Sequence, residues 1–314
     1  MKKNFLIIAL IILVFSLSGC NALEIKTCNP IYAMDTIINI KFYNVKDSDI
    51  YYQNIKNIYN EYDILADDFK SHSGYKNIYD LNKEREIEAS DKLLELVGEA
   101  IKLKEKTNGY FNPLIGRISH LWKEAIENKN IDSINNDLIS NELNIMNSSS
   151  ILIKDNKISI IGDANIDLGA IAKGYATFKA VKYLKENNIE GYLINAGESS
   201  VALGTKAGKA FNVALQAPYS NKIITSIECM NTSVATSSGK HQNIVIDNVR
   251  YHHIINPYTG YPSNIYDNVN VIVDNAFLAD CYSTALFSMD LKTANKFVLD
   301  NNFEVILYKD DKIL

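Results

Sequence analysis

Apolar residues fill Phe5–Leu17 almost without interruption; from Thr36 onward they recur instead with the periods of folded elements. Thr36–Phe42 sets Ile37, Asn39 and Lys41 against Ile38, Ile40 and Phe42, the period of two of a strand. Over Ser48–Phe69 the spacing of Ile50, Ile55, Ile58, Tyr62 and Leu65 lengthens to a helical stripe. Ser90 stands as N-cap of a second helix, which carries Leu93, Val97 and Ile101 at steps of four and meets a stop at Gly109. The polar stretch Glu127–Ser150 reads as loop, and Ile151–Ile161 as a hairpin turning on Asp155-Asn156-Lys157. Asp167–Gly174 leads into a helix through about Asn187, where Ala172, Ala176 and Ala180 form a small-residue face suited to packing on a sheet. Gly191–Leu203 holds a buried strand ending at Ala196-Gly197. A hairpin follows, with strands Ile244–Ile246 and Val249–Ile255 joined by an Asp247-Asn248 turn. Asn268–Val273 is a strand, and Asp274 caps a helix that carries Asp280 and Thr284. Hairpins and helices without regular βαβ alternation predict an α+β fold. No repeat or low-complexity linker divides the chain after its N-terminal segment, so 30–314 reads as one domain.

The first apolar run is too short for a comfortable membrane-spanning helix, and Lys2 and Lys3 precede it, so 1–19 reads as a secretory signal. Its ending, Leu17-Ser18-Gly19-Cys20, resembles a bacterial lipobox. That resemblance makes Cys20 the acylated first mature residue, with 20–29 as acylated cysteine and tether; ordinary secretion with a chance cysteine is the alternative. Each buried acyl methylene contributes roughly 0.8 kcal/mol, so paired chains anchor stably. The chain is 314 residues long with a net charge of −5, which argues against general nucleic-acid binding. Cys28, Cys229 and Cys281 are widely spaced, lack a CxxC pair and form neither a disulfide framework nor a zinc site.

Asn165–Gly174 is a glycine-opened turn running into a helix, and Asp280 and Thr284 lie four apart on another. Oxygen side chains at i and i+4 share a helical face, which suits a hard cation such as Mg²⁺ rather than zinc. With Lys173 and a helix start, the set points to a phosphorylated ligand. Plainer readings stay open: Asp280 opposing the helix dipole, Thr284 bonding its own i−4 carbonyl, Asp167 as a cap and Lys173 as a solvated charge. Neither GxGxxG nor GxxxxGK[ST] is present, and Thr236-Ser237-Ser238-Gly239-Lys240 reads as a β-turn.

Met34-Asp35-Thr36, Asn108-Gly109-Tyr110-Phe111-Asn112-Pro113, Asp167–Gly174, Asn195-Ala196-Gly197, Thr236–Gly239, His253–Pro262 and Ala279–Leu286 occur in that order. As a series they resemble the ApbE family of FAD:protein FMN transferases, from about residue 30 to about residue 290. DLGAIAKGYA and HIINPYTGYP carry most of the specificity. The resemblance implies a T-fold-like single catalytic domain of mixed, largely antiparallel sheet with packed helices. It implies an Mg²⁺-dependent enzyme that binds FAD as substrate and transfers FMN to a Thr or Ser hydroxyl of a membrane-associated redox protein, releasing AMP. It also implies an extracytoplasmic place, lipid-anchored to a bacterial cell membrane and facing the periplasm where an outer membrane exists.

By the same resemblance, Asp280, Thr284 and the carbonyl of Ala170 bind the metal. Met34, Tyr110, Phe111, Asn112, Asp167, Lys173 and Ile254 contact FAD. His253 is the candidate general base, since an unperturbed histidine pKa near 6.5 suits proton removal at neutral pH; Asp280 could share or replace that role, and a lone histidine can equally be structural. His252 points to the opposite strand face. The chain departs from the family pattern at Asn112 and Asn256, where Asp is common, and at Glu198, where a second Gly is frequent. Two other functions compete: FAD pyrophosphatase, with water as acceptor, and a flavin-binding lipoprotein without turnover.

Overall fold

Along Thr36–Tyr43 the alternation is realised: Ile38, Ile40 and Phe42 are buried while Ile37, Asn39 and Lys41 face outward. This strand belongs to a nine-stranded sheet that frames the molecule. Across it the order is Ile25–Thr27, Thr36–Tyr43, Tyr192–Ala196, Ser200–Leu203, Thr232–Ser238, Asn268–Val273, Glu304–Lys309 and Lys312–Ile313, with Ile31–Ala33 also paired to Thr36–Tyr43. Every pairing is antiparallel. The structure, a computed structural model, describes residues 23–220 and 222–314. The expected signal segment and Cys20 lie outside the described residues. Among the described residues no helix is long and apolar enough to cross a membrane.

Helices Ser48–Ala66, Ala172–Glu186 and Ala276–Leu286 gather on one face of the sheet around the main core. The small face of Ala172–Glu186 does not serve a sheet alone, as expected, but seats the helix between the other two. There Tyr59 Oη lies 2.7 Å from Thr177 Oγ1, whose own hydroxyl donates to the Lys173 carbonyl. The opposite sheet face carries a hairpin, Phe211–Gln216 with Ile223–Cys229. Its Phe211, Leu215 and Cys229 pack on Tyr43, Leu203 and Val234.

The α+β expectation holds, but several local readings change. The stretch 127–150, read as loop, contains the helix Asn136–Ser148, N-capped by Asn135. Its stripe was hidden because Glu142 occupies a core-facing position between Ile139 and Met146, where Arg117 Nε and Nη2 hold it at 2.6 and 2.8 Å. Asn275, not Asp274, caps Ala276–Leu286, its Oδ1 accepting from Phe277 and Leu278 N–H. Thr236-Ser237-Ser238 is the end of a strand, not a β-turn; the turn begins at Gly239. The first long helix buries Tyr52, Ile55, Tyr59, Tyr62 and Leu65, leaving Ile50 exposed. Cys28, Cys229 and Cys281 are free and buried.

One buried side chain ties this helix to the wall of the cleft described below. Asn77 caps the short helix Ile78–Glu84 in a reciprocal capping box with Asp80, while its amide donates to the carbonyls of Ile64 and Lys70. Asn77→Ala removes the cap and orphans two carbonyls, so it should cost about 2–4 kcal/mol of unfolding free energy. Urea denaturation of both proteins measures this; a loss under about 1 kcal/mol would show that solvent replaces the amide's bonds.

Candidate functional site

Turns and strand ends at one end of the sheet border a cleft of about 1540 Å³. Met34, Tyr110, Phe111, Asn112, Asp167, Ala170, Lys173, His253, Ile254, Asp280 and Thr284 all line it, so the expected site residues converge in space. Asn256 does not line it. Its Oδ1 accepts from Tyr258 N–H, and its role is to close the turn that follows, so the charge missing there is not a charge missing from the cleft.

Asp280 is the buried centre of the site. Its Oδ2 accepts the N–H of Gly174 at 2.8 Å, a first-turn donor that has no partner inside its own helix. Only glycine permits this approach, since a Cβ at 174 would lie 2.4 Å from Asp280 Cβ and 2.6 Å from the Ala276 carbonyl. Because Gly174 N–H turns to Asp280, the Ala170 carbonyl accepts no hydrogen bond among the described residues. Asp280 Oδ1 likewise accepts none, and Thr284 Oγ1 is 3.4 Å from Ser237 Oγ. Ser283, not Thr284, bonds back to the Asp280 carbonyl. Burial raises the Asp280 carboxyl above its usual range, opposed by the nearby Lys173 charge and the Gly174 bond. Carboxylate, hydroxyl and carbonyl oxygens are a donor set for a hard cation. Among the described residues no group of three or more His, Cys, Asp or Glu is arranged to hold a metal.

The Asn112–Gly116 segment runs beside Asn165–Asp167: Gly116 N–H donates to Asn165 O, and Asp167 N–H to Pro113 O. Asn82 clamps the second segment through both backbone groups of Ile166, and Arg85 reaches the carbonyls of Gly162 and Ala164. Asp167 does not cap the helix, which starts behind Ile171. It folds the turn instead, accepting from Gly169 N–H at 2.7 Å and from Ser119 Oγ at 2.6 Å. Lys173 makes no ion pair among the described residues. Met34 sits at φ 56° in a tight turn and donates its N–H to Asp63. Tyr110 packs edge-on against Tyr258, Phe111 is nearly buried, and Asn112 Oδ1 is taken by Leu114 N–H.

The adjacent histidines divide as expected. His252 is buried and satisfied: Nε2 donates to the Ser263 carbonyl, and Nδ1 accepts from Ile254 N–H. His253 opens into the cleft. Its Nδ1 lies 3.1 Å from the His241 carbonyl, which only accepts, so Nδ1 carries the proton and the Nε2 lone pair is left for a ligand. The walls around it strip hydration and push its pKa to about 4, with Lys173 and His241 adding to the fall and the His241 carbonyl bond opposing it. It is therefore neutral at physiological pH.

Sequence reasoning missed the opposite wall. Asp68 Oδ2 lies 2.7 Å from His120 Nε2. The His120 ring stacks on Phe69 at 4.7 Å, and Lys123 Nζ stands 3.8 Å from the centre of the Phe69 ring. Asp67 and His72 form a second pair at 2.8 Å. No short-range pattern links Asp68 to His120 fifty-two positions on; only the polar run Asp67-Asp68 at the helix end gave a local signal. Glu198, at φ 63°, holds the left-handed conformation that favours glycine, stabilised by an N–H bond to Asn195 Oδ1.

A model of the ApbE family matches residues 34–307 of this chain. The chain is 28% identical over 213 residues to the FAD:protein FMN transferase of Treponema pallidum, an overlap of 62% of this chain and 59% of that protein. It is 28% identical over 188 residues to an FAD:protein FMN transferase of Klebsiella pneumoniae, covering 58% and 57%. The chain thus spans less than two thirds of the length of these two relatives. The crystal structure of the ApbE protein of Thermotoga maritima superposes with a TM-score of 0.80 at 26% identity, covering 90% of this chain and 94% of that one.

Two measurements test the geometry. Gly174→Ala should lose about 1–3 kcal/mol of stability by overpacking and should displace Asp280, so a crystal structure with Asp280 unmoved would refute the contact. The bond to Asp68 raises the His120 pKa above its unfolded value, so that bond's contribution is complete below about pH 6.5 and is lost as pH rises through the folded value. Unfolding free energy should therefore fall more between about pH 6 and about pH 9 in the wild type than in His120→Gln. An equal fall in both would remove the ion pair from the account.

Proposed function

This chain belongs to the ApbE family, and we propose that it transfers the FMN half of FAD to a Thr or Ser hydroxyl of an extracytoplasmic, membrane-associated redox protein, with release of AMP and dependence on Mg²⁺. The observation that carries the proposal is the buried Asp280 at the start of helix Ala172–Glu186, with Ala170 O and Asp280 Oδ1 free of hydrogen bonds and Thr284 lining the same cleft. A helix start with an adjacent lysine favours a phosphate, and hard oxygen donors beside it favour a divalent cation.

Asp280, Thr284 and the Ala170 carbonyl would hold Mg²⁺. When bound, the ion would polarise the pyrophosphate and offset the charge that develops on AMP. The chain's own residues do the rest. Lys173, whose own backbone N–H accompanies its ammonium at the helix start, orients the anion. Met34, Tyr110, Phe111, Asn112, Asp167 and Ile254 supply the turn, ring and hydrogen-bonding surfaces that position the rest of the dinucleotide. His253 Nε2 accepts the proton of the acceptor hydroxyl, whose oxygen forms a bond to the FMN phosphorus as the bridging P–O bond breaks. AMP leaves with the bridging oxygen, and the product is a phosphodiester between FMN and the acceptor side chain. Nδ1, fixed on the His241 carbonyl, keeps Nε2 the accepting nitrogen throughout. The signal pattern at 1–19 and Cys20 supports a lipid-anchored, extracytoplasmic enzyme.

Incubation with FAD, Mg²⁺ and a redox-protein domain from the same cell should add one FMN to the domain and release AMP in equal amount. Free FMN plus AMP would instead mark a pyrophosphatase, and FAD bound but unchanged would overturn both reactions. Asp280→Ala should abolish turnover, and His253→Ala should slow transfer by about 10²–10⁴ while FAD still binds. Full transfer by His253→Ala would move the base elsewhere.

A further inference from the structure

A strand at the cleft has one covered edge and one open edge, and the two are built differently. Among the described residues Phe211–Gln216 forms a ladder only with Ile223–Cys229; at its end Asn268 Nδ2 donates to the Gln216 carbonyl, so the open edge is that of 211–215. Every residue from Phe211 to Pro218 lines the cleft, and none from Lys222 to Cys229 does, so Phe211–Gln216 is the cleft-facing strand of the hairpin. The outward strand shows the devices by which proteins blunt a sheet edge, a register break between Ile223 and Thr225 and a charge at Glu228. The cleft-facing strand, FNVALQ, is regular and has no charge and no proline. Its edge looks onto a trough whose floor is the outward face of the main sheet, including Ile37, Leu193, Asn195, Val201 and Thr236. The cleft, at about 1540 Å³, also exceeds the roughly 300–1,000 Å³ of ordinary small-molecule sites, leaving room for a second occupant.

We infer that the acceptor protein docks by strand addition: an extended segment bearing the Thr or Ser lies along 211–215 and makes main-chain hydrogen bonds to its cleft-facing edge, at Asn212 and Ala214. The inference rests on the transferase reading above. Main-chain pairing supplies affinity with little demand on sequence, while alternate side chains of the segment point to the trough floor or away from it. The uncharged strand and the Asn-rich, apolar floor select a segment that is itself uncharged where it pairs. Docked this way, the acceptor hydroxyl enters the cleft that Asp280, Thr284 and His253 line, from the sheet face opposite the helices.

The test uses a pool of short synthetic peptides with one central Thr and randomised flanks, incubated with the protein, FAD and Mg²⁺. Flavin-labelled peptides should be recovered. In a recovered peptide, N-methylation of alternate backbone nitrogens in one register should lower transfer at least about tenfold, and in the other register should leave it unchanged. Ala214→Lys, which puts a charge on the open edge, should lower kcat/KM for the peptide by about tenfold or more. Ser226→Lys, opposite Ala214 on the outward strand, should leave transfer unchanged. Indifference to methylation in both registers, or full transfer by Ala214→Lys, would overturn strand addition. So would FAD cleavage with no labelled peptide. FAD neither bound nor cleaved would instead be the failure of the transferase reading, and FAD titration separates the two.

Discussion

The contact between the Asp280 carboxylate and the Gly174 N–H organises the rest of the site. A buried carboxylate far from solvent is costly unless its charge is met, and here a helix start and Lys173 meet it. Glycine at 174 brings helices Ala172–Glu186 and Ala276–Leu286 together without a side chain between them. The same bond diverts the one N–H that could have closed on Ala170 O, so a backbone acceptor is exposed to the cleft beside the carboxylate. One missing Cβ therefore sets a helix spacing, a buried charge and two free oxygen acceptors together.

Backbone, more than side chains, carries distant segments to this point. The Asn112–Gly116 and Asn165–Asp167 segments lie side by side through their own N–H and carbonyl groups. Asn82 and Arg85 satisfy the groups that remain, using four carbonyls and one N–H that a loop would otherwise leave buried and unpaired. Trp122 does the same for the turn after His253, donating its indole N–H to Gly260 O. A site assembled this way holds its shape through groups that every sequence possesses.

That explains what was legible. Periodicity found the strand Thr36–Tyr43 and the helices Ser48–Ala66 and Ala172–Glu186, because one face of each is buried, and turn residues marked two hairpins, but the hairpin of Phe211–Gln216 with Ile223–Cys229 went unread. The i, i+4 spacing of Asp280 and Thr284 carried the idea of an oxygen-ligated cation, and the ordered motifs carried the family. Helix Asn136–Ser148 was hidden because its core-facing carboxylate depends on Arg117 on a neighbouring element, which no local pattern contains. The Asp68–His120 pair and the open edge of 211–215 were hidden for the same reason, since both are defined by tertiary neighbours. Asn256 misled in the other direction: it falls inside a site motif, yet its side chain closes a turn.

The charge of the cleft bears on the order of events in the proposed reaction. Seven carboxylates line it against four lysines, so a pyrophosphate entering the cleft meets net repulsion unless those carboxylates are occupied. Most are. Asp67 and Asp68 face histidines, Asp167 holds Ser119 and Gly169, and Asp63 accepts the Met34 N–H. Asp280 differs in being buried with Oδ1 left free on the cleft that the Ala170 carbonyl and Thr284 also line. A divalent cation at that oxygen would reverse the local sign of the potential and so favour the pyrophosphate. Each then raises the affinity for the other by the same factor, as linkage requires. Metal dependence on this account is a property of binding before it is a property of chemistry: an acidic cleft would take up an anionic dinucleotide because a cation held by Asp280, Thr284 and the Ala170 carbonyl would offset its charge.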